Sequence, residues 1–182
     1  NLLRNGSFEL TPPSDLVVSD WNTHREKDYA GCNIAWNTGR LGRDGACMLR
    51  MYIPGGADGQ NVMNYAWQTR SLTAGTQYTF SAYARVDSMD KVWDGGGVYI
   101  TIYDSGWNVV AKSDVIDHTT SGIDDGWEQL YVNYTPETSG TYLMVLCQRN
   151  CGKSQIAFDD VQLETGMVAS SYNLAAERRC DI

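Results

Sequence analysis

The stretch Tyr78-Thr79-Phe80-Ser81-Ala82-Tyr83-Ala84-Arg85 decides the fold class, because apolar side chains occupy every second position. Alternation with a period of two is typical of a β-strand that buries one face. The apolar set is expected to face a core, and it consists of Tyr78, Phe80, Ala82 and Ala84. Ser81, Tyr83 and Arg85 are expected to point the other way.

The same alternation recurs along the chain between glycine-containing turn signals such as Asp125-Gly126. Besides 77–86, the predicted strands are 47–52, 65–71, 98–103, 109–112, 127–134, 141–148 and 155–163. Nothing of helical period persists, apart from a turn near 172–178. Many short strands at this spacing predict an all-β fold, an antiparallel β-sandwich.

Composition narrows the class of partner. The chain has 182 residues, enough for one domain with a substantial core, and a formal net charge of −8. Nucleic acid and anionic membranes need clustered Lys and Arg, so neither partner is expected. No motif of a hydrolase or a phosphate-binding loop is present, and no pair of carboxylates is marked by its spacing as a glycosidase pair. A non-enzymatic protein is therefore expected.

Two stretches near the ends of the chain carry a family resemblance. They are Asn5-Gly6-Ser7-Phe8-Glu9 and Phe158-Asp159-Asp160-Val161-Gln162-Leu163-Glu164. They resemble the first and last strands of bacterial carbohydrate-binding modules with the galactose-binding-like jelly-roll fold. The resemblance covers the chain to Leu174, so it implies a module over 1–174 and a linker or tail over 175–182. Such modules occur in tandem, which implies a monomeric unit of a larger extracellular or cell-surface bacterial protein.

Asp159 is a candidate metal ligand. If Val161 and Leu163 face the core, alternation turns Asp159 inward as well, and a buried carboxylate needs a partner. In the resembled family the two terminal strands share a structural Ca²⁺ ion. The resemblance implies a shell of Ser7, Glu9, Arg43, Asp44, Asp159 and Asp160, with backbone carbonyls from Ser7 and the loop around Arg43. The alternative is that Asp159 caps a turn or pairs with an arginine.

The sugar site is predicted from the outward side chains. Pyranose rings offer C–H groups on one face and hydroxyls around the rim, so they suit flat rings beside hydrogen-bonding groups. The candidates on one predicted sheet face are Arg50, Gln68, Tyr83, Arg85, Tyr99, Tyr103 and Tyr131, and the candidates on loops are Trp36, Trp93 and Trp107. For each of them, cross-strand packing that stiffens the sheet is the alternative.

The resemblance thus implies a non-catalytic module that binds a poly- or oligosaccharide. The alternative is a structural or adhesion spacer of a surface or phage-tail protein, since similar folds serve both roles. A small glycan-active enzyme is the third possibility.

The five cysteines, Cys32, Cys47, Cys147, Cys151 and Cys180, are an odd number, so at least one lacks a partner within the chain. A disulfide between Cys147 and Cys151 and a pair of free thiols are both open.

Overall fold

The computed structural model describes residues 1–10, 18–25, 33–37, 42–54, 62–120 and 126–172, with the side chains of 33–37 left aside. The strands in these ranges are β1 (Asn22–Arg25), β2 (Asn33–Asn37), β3 (Met48–Ile53), β4 (Met63–Leu72), β5 (Tyr78–Met89), β6 (Val92–Asp104), β7 (Val109–Lys112), β8 (Glu128–Tyr134), β9 (Gly140–Cys151) and β10 (Ser154–Thr165). Every strand predicted from the alternation is present. β1 and β2 were not predicted. The predicted turn at 172–178 and the tail at 175–182 lie outside the described residues, apart from Tyr172.

The strands form two five-stranded sheets. Sheet A has the order β1-β4-β9-β6-β7 and sheet B the order β2-β3-β10-β5-β8. All the pairings between neighbouring strands are antiparallel. Among the described residues there is no helix long and apolar enough to cross a bilayer. The prediction of an all-β antiparallel sandwich is confirmed.

The core lies between the sheets and uses the side chains that alternation assigned to it. Phe80 in sheet B and Ile100 and Ile102 in sheet A are fully buried in one cluster with Phe8 and Phe158. Burying one such side chain stabilises the folded protein by about 1.5–3 kcal/mol. The inward sets predicted for β5 and β6 are therefore confirmed.

The N-terminal segment meets β10 but is not a regular strand, contrary to the expectation for 5–9. Asn5 and Phe8 have φ angles of 47° and 56°, in the left-handed region that an extended strand excludes. The segment is nevertheless attached to β10. Leu2 N donates to the Leu163 carbonyl at 2.7 Å, and Val161 N donates to the Gly6 carbonyl at 2.9 Å.

Cys47, Cys147 and Cys151 are buried free thiols. Cys147 and Cys151 lie on one strand, four residues apart, which places their Cα atoms about 13 Å from each other. A disulfide requires less than about 7 Å. The free thiols are therefore the alternative that the structure supports, although Cys151 ends β9 and does not lie in a loop. Cys32 and Cys180 lie outside the described residues.

Candidate functional site

The outer face of sheet A carries a cluster of aromatic rings. Because Val98, Ile100 and Ile102 face the core, Tyr99 and Tyr103 point outward. The register places Tyr65 and Trp67 of β4 on the same outer face, across Cys147 and Val145 of β9. We call Tyr65, Trp67, Tyr99, Tyr103 and Trp107 the aromatic face.

Trp107 lies over the rings of the sheet. The Asp104 carboxylate fixes the β6–β7 turn, since its Oδ1 accepts from Gly106 N at 2.8 Å and Asn108 N at 2.9 Å. These bonds lower the pKa of Asp104, with the Asn108 contacts contributing most. The turn holds Trp107 at φ 62°, with its ring centroid 5.7, 5.6 and 5.5 Å from those of Tyr65, Trp67 and Tyr103. The indole is 45% exposed, so one part of it packs and another part faces solvent.

The rings of this face differ in exposure. Tyr99 is only 3% exposed, whereas Tyr65, Trp67 and Tyr103 are half-buried. Burial raises the pKa of Tyr103 to about 12 and raises the pKa of Tyr99 further still, so both phenols stay protonated. Tyr99 is therefore a supporting ring, and Trp107, Trp67, Tyr65 and Tyr103 form the accessible surface. Such a surface can stack on a pyranose ring.

The other predicted tyrosines and arginines lie on the opposite side of the sandwich. Tyr83 and Arg85 of β5, Tyr131 of β8 and Arg50 of β3 belong to the outer face of sheet B. The prediction that they share one sheet face with Tyr99 and Tyr103 is wrong, because alternation assigns a side to each strand but not a sheet. Their binding role stays a prediction.

On sheet B the arginines have partners within the protein. Arg85 Nε donates to Asp87 Oδ1 at 2.7 Å, and the guanidinium lies 4.9 Å from the Trp127 ring centroid. Arg50 donates to Gln155 Oε1 at 2.5 Å. Tyr131 is 60% exposed and stands apart from the ring contacts of the described residues. In the described part of this face, arginines lie over the single rings of Tyr83 and Trp127, and no cluster of rings in mutual contact forms.

The remaining candidates are dispersed. Gln68 lies on the inward side of β4, opposite Met144, and is bonded to the backbone of Arg4, so the outward prediction is wrong. Gln68 faces inward because Ala66 and Leu72, two and four residues away on the same strand, face the core. Trp93 lies at the start of β6 with Lys91 Nζ 4.7 Å from its ring centroid. The Trp36 side chain lies outside the described residues.

Tyr65 and Trp67 were missed by the sequence reasoning, although a signal was present. The stretch Tyr65-Ala66-Trp67-Gln68 alternates, and its small residue Ala66 marks the core side. Lys112 and Arg149, which border the aromatic face, had no such signal. Their position follows from the pairing of β6 with β7 and β9.

A second site gathers carboxylates where the N-terminal segment, the loop 42–47 and β10 meet. Glu9 Oε1 accepts from Ala46 N and Cys47 N, both at 2.8 Å. Asp159 Oδ2 accepts from Arg43 N at 2.6 Å. The Arg43 guanidinium donates to Asp160 Oδ2 at 2.7 Å and lies 3.6 Å from the Tyr83 ring centroid. We call Glu9, Arg43, Asp159 and Asp160 the carboxylate clasp.

Asp159 is buried, as predicted, but it does not point into the core. A β-bulge shifts the β10 register between Asp159 and Gln162, and Asp160 takes φ 50° there. Phe158 and Val161 both face the core, while Asp159 pairs with Tyr83 on the outer side. The inward prediction is wrong because the bulge inverts the alternation. The alternative of a partner arginine is realised at the neighbouring Asp160.

The clasp is rich in negative charge that the protein only partly compensates. Burial, the neighbouring Asp160 and Glu9 raise the pKa of Asp159 to about 8. Burial likewise raises the pKa of Asp160 to about 6, against the lowering effect of Arg43. Among the described residues, the buried Asp160 Oδ1 has no hydrogen-bond partner.

The clasp residues fit a calcium ion by their chemistry. Hard carboxylate and carbonyl oxygens are the ligands that Ca²⁺ prefers, and an unpartnered buried carboxylate oxygen is suited to a cation. Within the described ranges, however, no three His, Cys, Asp or Glu side chains lie close enough to hold a metal ion by themselves. Backbone carbonyls, such as that of the buried Ser7, would have to complete the shell, while Asp44 is bonded to Arg43 at 3.1 Å.

Comparison with solved structures finds the same fold in carbohydrate-binding modules. The family 61 module TmCBM61, in complex with β-1,4-galactotriose, matches with a TM-score of 0.58 and 16% identity over 91% of this chain and 99% of that one. A family 4 module, CBM4, matches with a TM-score of 0.60 and 19% identity over 90% and 99%.

A tailspike structure also matches. The enzymatically active domain of tailspike protein 4 of bacteriophage CBA120 gives a TM-score of 0.63 and 13% identity over 91% of this chain but only 21% of its own. No protein-family model matches, and neither does any curated protein. At these identities the likeness shows the fold alone, and the predicted jelly-roll sandwich of bacterial carbohydrate-binding modules is confirmed at that level.

Proposed function

We propose that this chain is a non-catalytic carbohydrate-binding module that attaches a larger extracellular bacterial protein to a glycan through the aromatic face. The observation that carries the proposal is the contact of the 45% exposed Trp107 with three rings of the sheet. Such a cluster on a protein surface indicates an interaction site. The fold, shared with modules that bind sugars, is consistent with it.

The rings of the aromatic face are preorganised for binding. Each ring contact restrains the next ring, so a sugar that stacks on Trp107 or Trp67 immobilises few additional side chains. The hydroxyl groups on the sugar rim find donors in Lys112 and Arg149 at the border of the face. Such a shallow platform is suited to binding one stretch of a sugar chain. Binding of this kind does not use the pair of placed carboxylates that glycoside cleavage needs.

The test is a panel of neutral and charged polysaccharides in affinity electrophoresis, followed by calorimetric titration of the ligands that bind. Trp107→Ala and Trp67→Ala are expected to weaken binding at least tenfold, because they remove stacking surfaces. Tyr131→Ala is the matched control, since it removes an exposed ring from the opposite sheet. No retardation by any glycan, or equal loss in Tyr131→Ala, would favour the spacer alternative or a different site. Release of sugar products would favour an enzyme.

We also propose that the carboxylate clasp holds a structural Ca²⁺ ion, with Glu9, Asp159 and Asp160 as side-chain ligands. The three carboxyl groups gathered around one guanidinium and the unpartnered Asp160 Oδ1 support this proposal. A cation that binds only the folded state raises its stability by mass action. Scanning calorimetry is run in roughly 1 mM calcium and in roughly 1 mM EDTA. The melting temperature is expected to be lower in EDTA. Asp159→Asn should abolish the difference, whereas Asp114→Asn, an exposed control, should keep it. Superimposed scans of the unsubstituted protein would disprove the calcium site.

A further inference from the structure

Cations border the aromatic face. Lys112 Nζ lies 3.9 Å from the centroid of the Tyr99 ring. Arg149 is exposed on the same side of β9, two residues beyond Cys147, and its charge partly offsets the burial that raises the pKa of Tyr99. The two cations therefore approach the face from strands on opposite sides of Tyr99.

Acids are absent from the outward positions of β4, β9 and β6, although acids outnumber bases by 22 to 14 in the whole chain. Exposed Asp114 follows two residues after Lys112, and Asp104 lies in the turn that holds Trp107. The outward positions that the register assigns on β4, β9 and β6 are Met63, Tyr65, Trp67, Thr69, Ser71, Thr141, Leu143, Val145, Cys147, Arg149, Gly97, Tyr99, Thr101 and Tyr103. Within the described part of the chain, neither Lys112 nor Arg149 has a carboxylate within 4.0 Å.

Two arginines on the sheet B side of the sandwich are paired with acids. There Arg43 is bonded to Asp160 at 2.7 Å and Arg85 to Asp87 at 2.7 Å. At the aromatic face, by contrast, the charges of Lys112 and Arg149 lie beside one cluster of rings with no carboxylate of the described residues within 4.0 Å. A neutral sugar needs no net charge at its site, whereas an anionic sugar does.

We propose that the aromatic face selects anionic saccharides, in which a carboxylate or sulfate ester on a stacked sugar contacts Lys112 and Arg149. This inference rests on the proposed function, because it assigns the ligand class of the same site. The rings supply stacking for any pyranose. The two cations supply the discrimination between a charged sugar and its neutral counterpart.

The net charge of the protein excludes one trivial cause of binding to polyanions. At a net charge of −8 the molecule as a whole repels polyanions, so non-specific attraction does not produce the expected result. Binding is compared within matched pairs of polymers. Polygalacturonate and hyaluronan are each paired with their methyl esters, which keep the backbone and remove the charge, and dextran sulfate is paired with dextran. Uronate pairs report on carboxylates and the dextran pair reports on sulfate esters.

The expected result is tighter binding to the anionic member of at least one pair, with an affinity that falls as sodium chloride is raised, because salt screens exposed charges. Lys112→Gln and Arg149→Gln should each lower the affinity for that polymer about two- to fivefold, as for exposed ion pairs. Binding to its neutral partner should fall by less in both variants, because glutamine still donates a hydrogen bond to a sugar hydroxyl but carries no charge. Lys91→Gln is the matched control, since Lys91 also lies over a ring, that of Trp93.

The outcomes separate the two proposals. Equal affinity for both members of every pair, or a preference for the anionic member that survives Lys112→Gln and Arg149→Gln together, overturns the anionic selection and leaves glycan binding intact. Loss of all binding in Trp107→Ala together with charge-dependent binding in the unsubstituted protein supports both proposals. Binding to no glycan of either kind overturns the proposed function and the selection with it.

Discussion

Replacing Arg43 by methionine removes the one guanidinium of the carboxylate clasp. The Asp160 side chain is fully buried and accepts from Arg43 at 2.7 Å, while Arg43 itself is 30% exposed. Removing one partner of a buried ion pair costs about 3–5 kcal/mol of stability. The partial exposure of Arg43 lets water reach the pair, so we expect a loss of about 2–3 kcal/mol in EDTA. For a domain of this length that corresponds to a melting temperature lower by roughly 4–12 °C.

Two further variants isolate the cause. The double variant Arg43→Met/Asp160→Asn lacks both the guanidinium and the buried carboxylate that it paired with. It should therefore recover part of the stability that Arg43→Met loses. Arg50→Met is the matched control, because Arg50 also lies on the outer face of sheet B but is bonded to the neutral Gln155 at 2.5 Å. It is expected to cost less than about 1 kcal/mol.

The loss should also depend on pH. The pKa of Asp160 is already raised to about 6 by burial, and it rises further when the guanidinium is gone. A group with a raised folded-state pKa takes up its proton first in the folded protein, so Arg43→Met should regain stability as the pH falls from 8 to 5, a window of roughly three units. Urea unfolding at both pH values measures this. A cost below about 0.5 kcal/mol at pH 8, or a double variant no more stable than Arg43→Met, would refute the reasoning.

Two shorter predictions concern packing. A Cβ at Gly6 would meet the Val161 carbonyl oxygen, so Gly6→Ala should destabilise the protein by about 1–3 kcal/mol in urea unfolding, whereas Gly140→Ala, where a Cβ meets nothing within 4 Å, should be nearly neutral. Equal midpoints for the two would contradict the close contact with β10. Burial raises the pKa of Cys147 to about 12, so iodoacetamide should leave it unmodified in the folded protein and label it after unfolding, as read by peptide mass spectrometry.

The fold was predictable because alternation records burial directly. Phe80, Ile100 and Ile102 are inside because every second residue of a strand shares a side, and the register with β8 and β9 is regular over 78–84 of β5 and 97–104 of β6. Asp159 was assigned to the wrong side because a β-bulge interrupts this alternation. A bulge with Asp160 at φ 50° changes the side of every later residue, and no local sequence signal announced it.

The candidate site was predictable only in parts. Parity tells which side of its strand Tyr103 takes, but not that β6 belongs to sheet A while Tyr83 lies in sheet B. That assignment depends on pairings between strands far apart in sequence. The position of Trp107 depends on the Asp104 turn, which brings a loop residue back over the sheet.

The separation of the two sites onto opposite sheets has a measurable consequence. The carboxylate clasp adjoins Tyr83 on sheet B, and the aromatic face is the outer surface of sheet A, with the core between them. A calcium ion at the clasp would thus stabilise the fold without contacting a glycan. Below the melting temperature in EDTA, chelation should leave the dissociation constant of a bound glycan unchanged, while the same chelation lowers the melting temperature. Titration calorimetry at 15 °C, with and without EDTA, measures this, since at roughly that temperature a domain is near its greatest stability. A tenfold loss of affinity in protein that circular dichroism finds folded would place the ion at the glycan and refute the assignment of the two roles to opposite sheets.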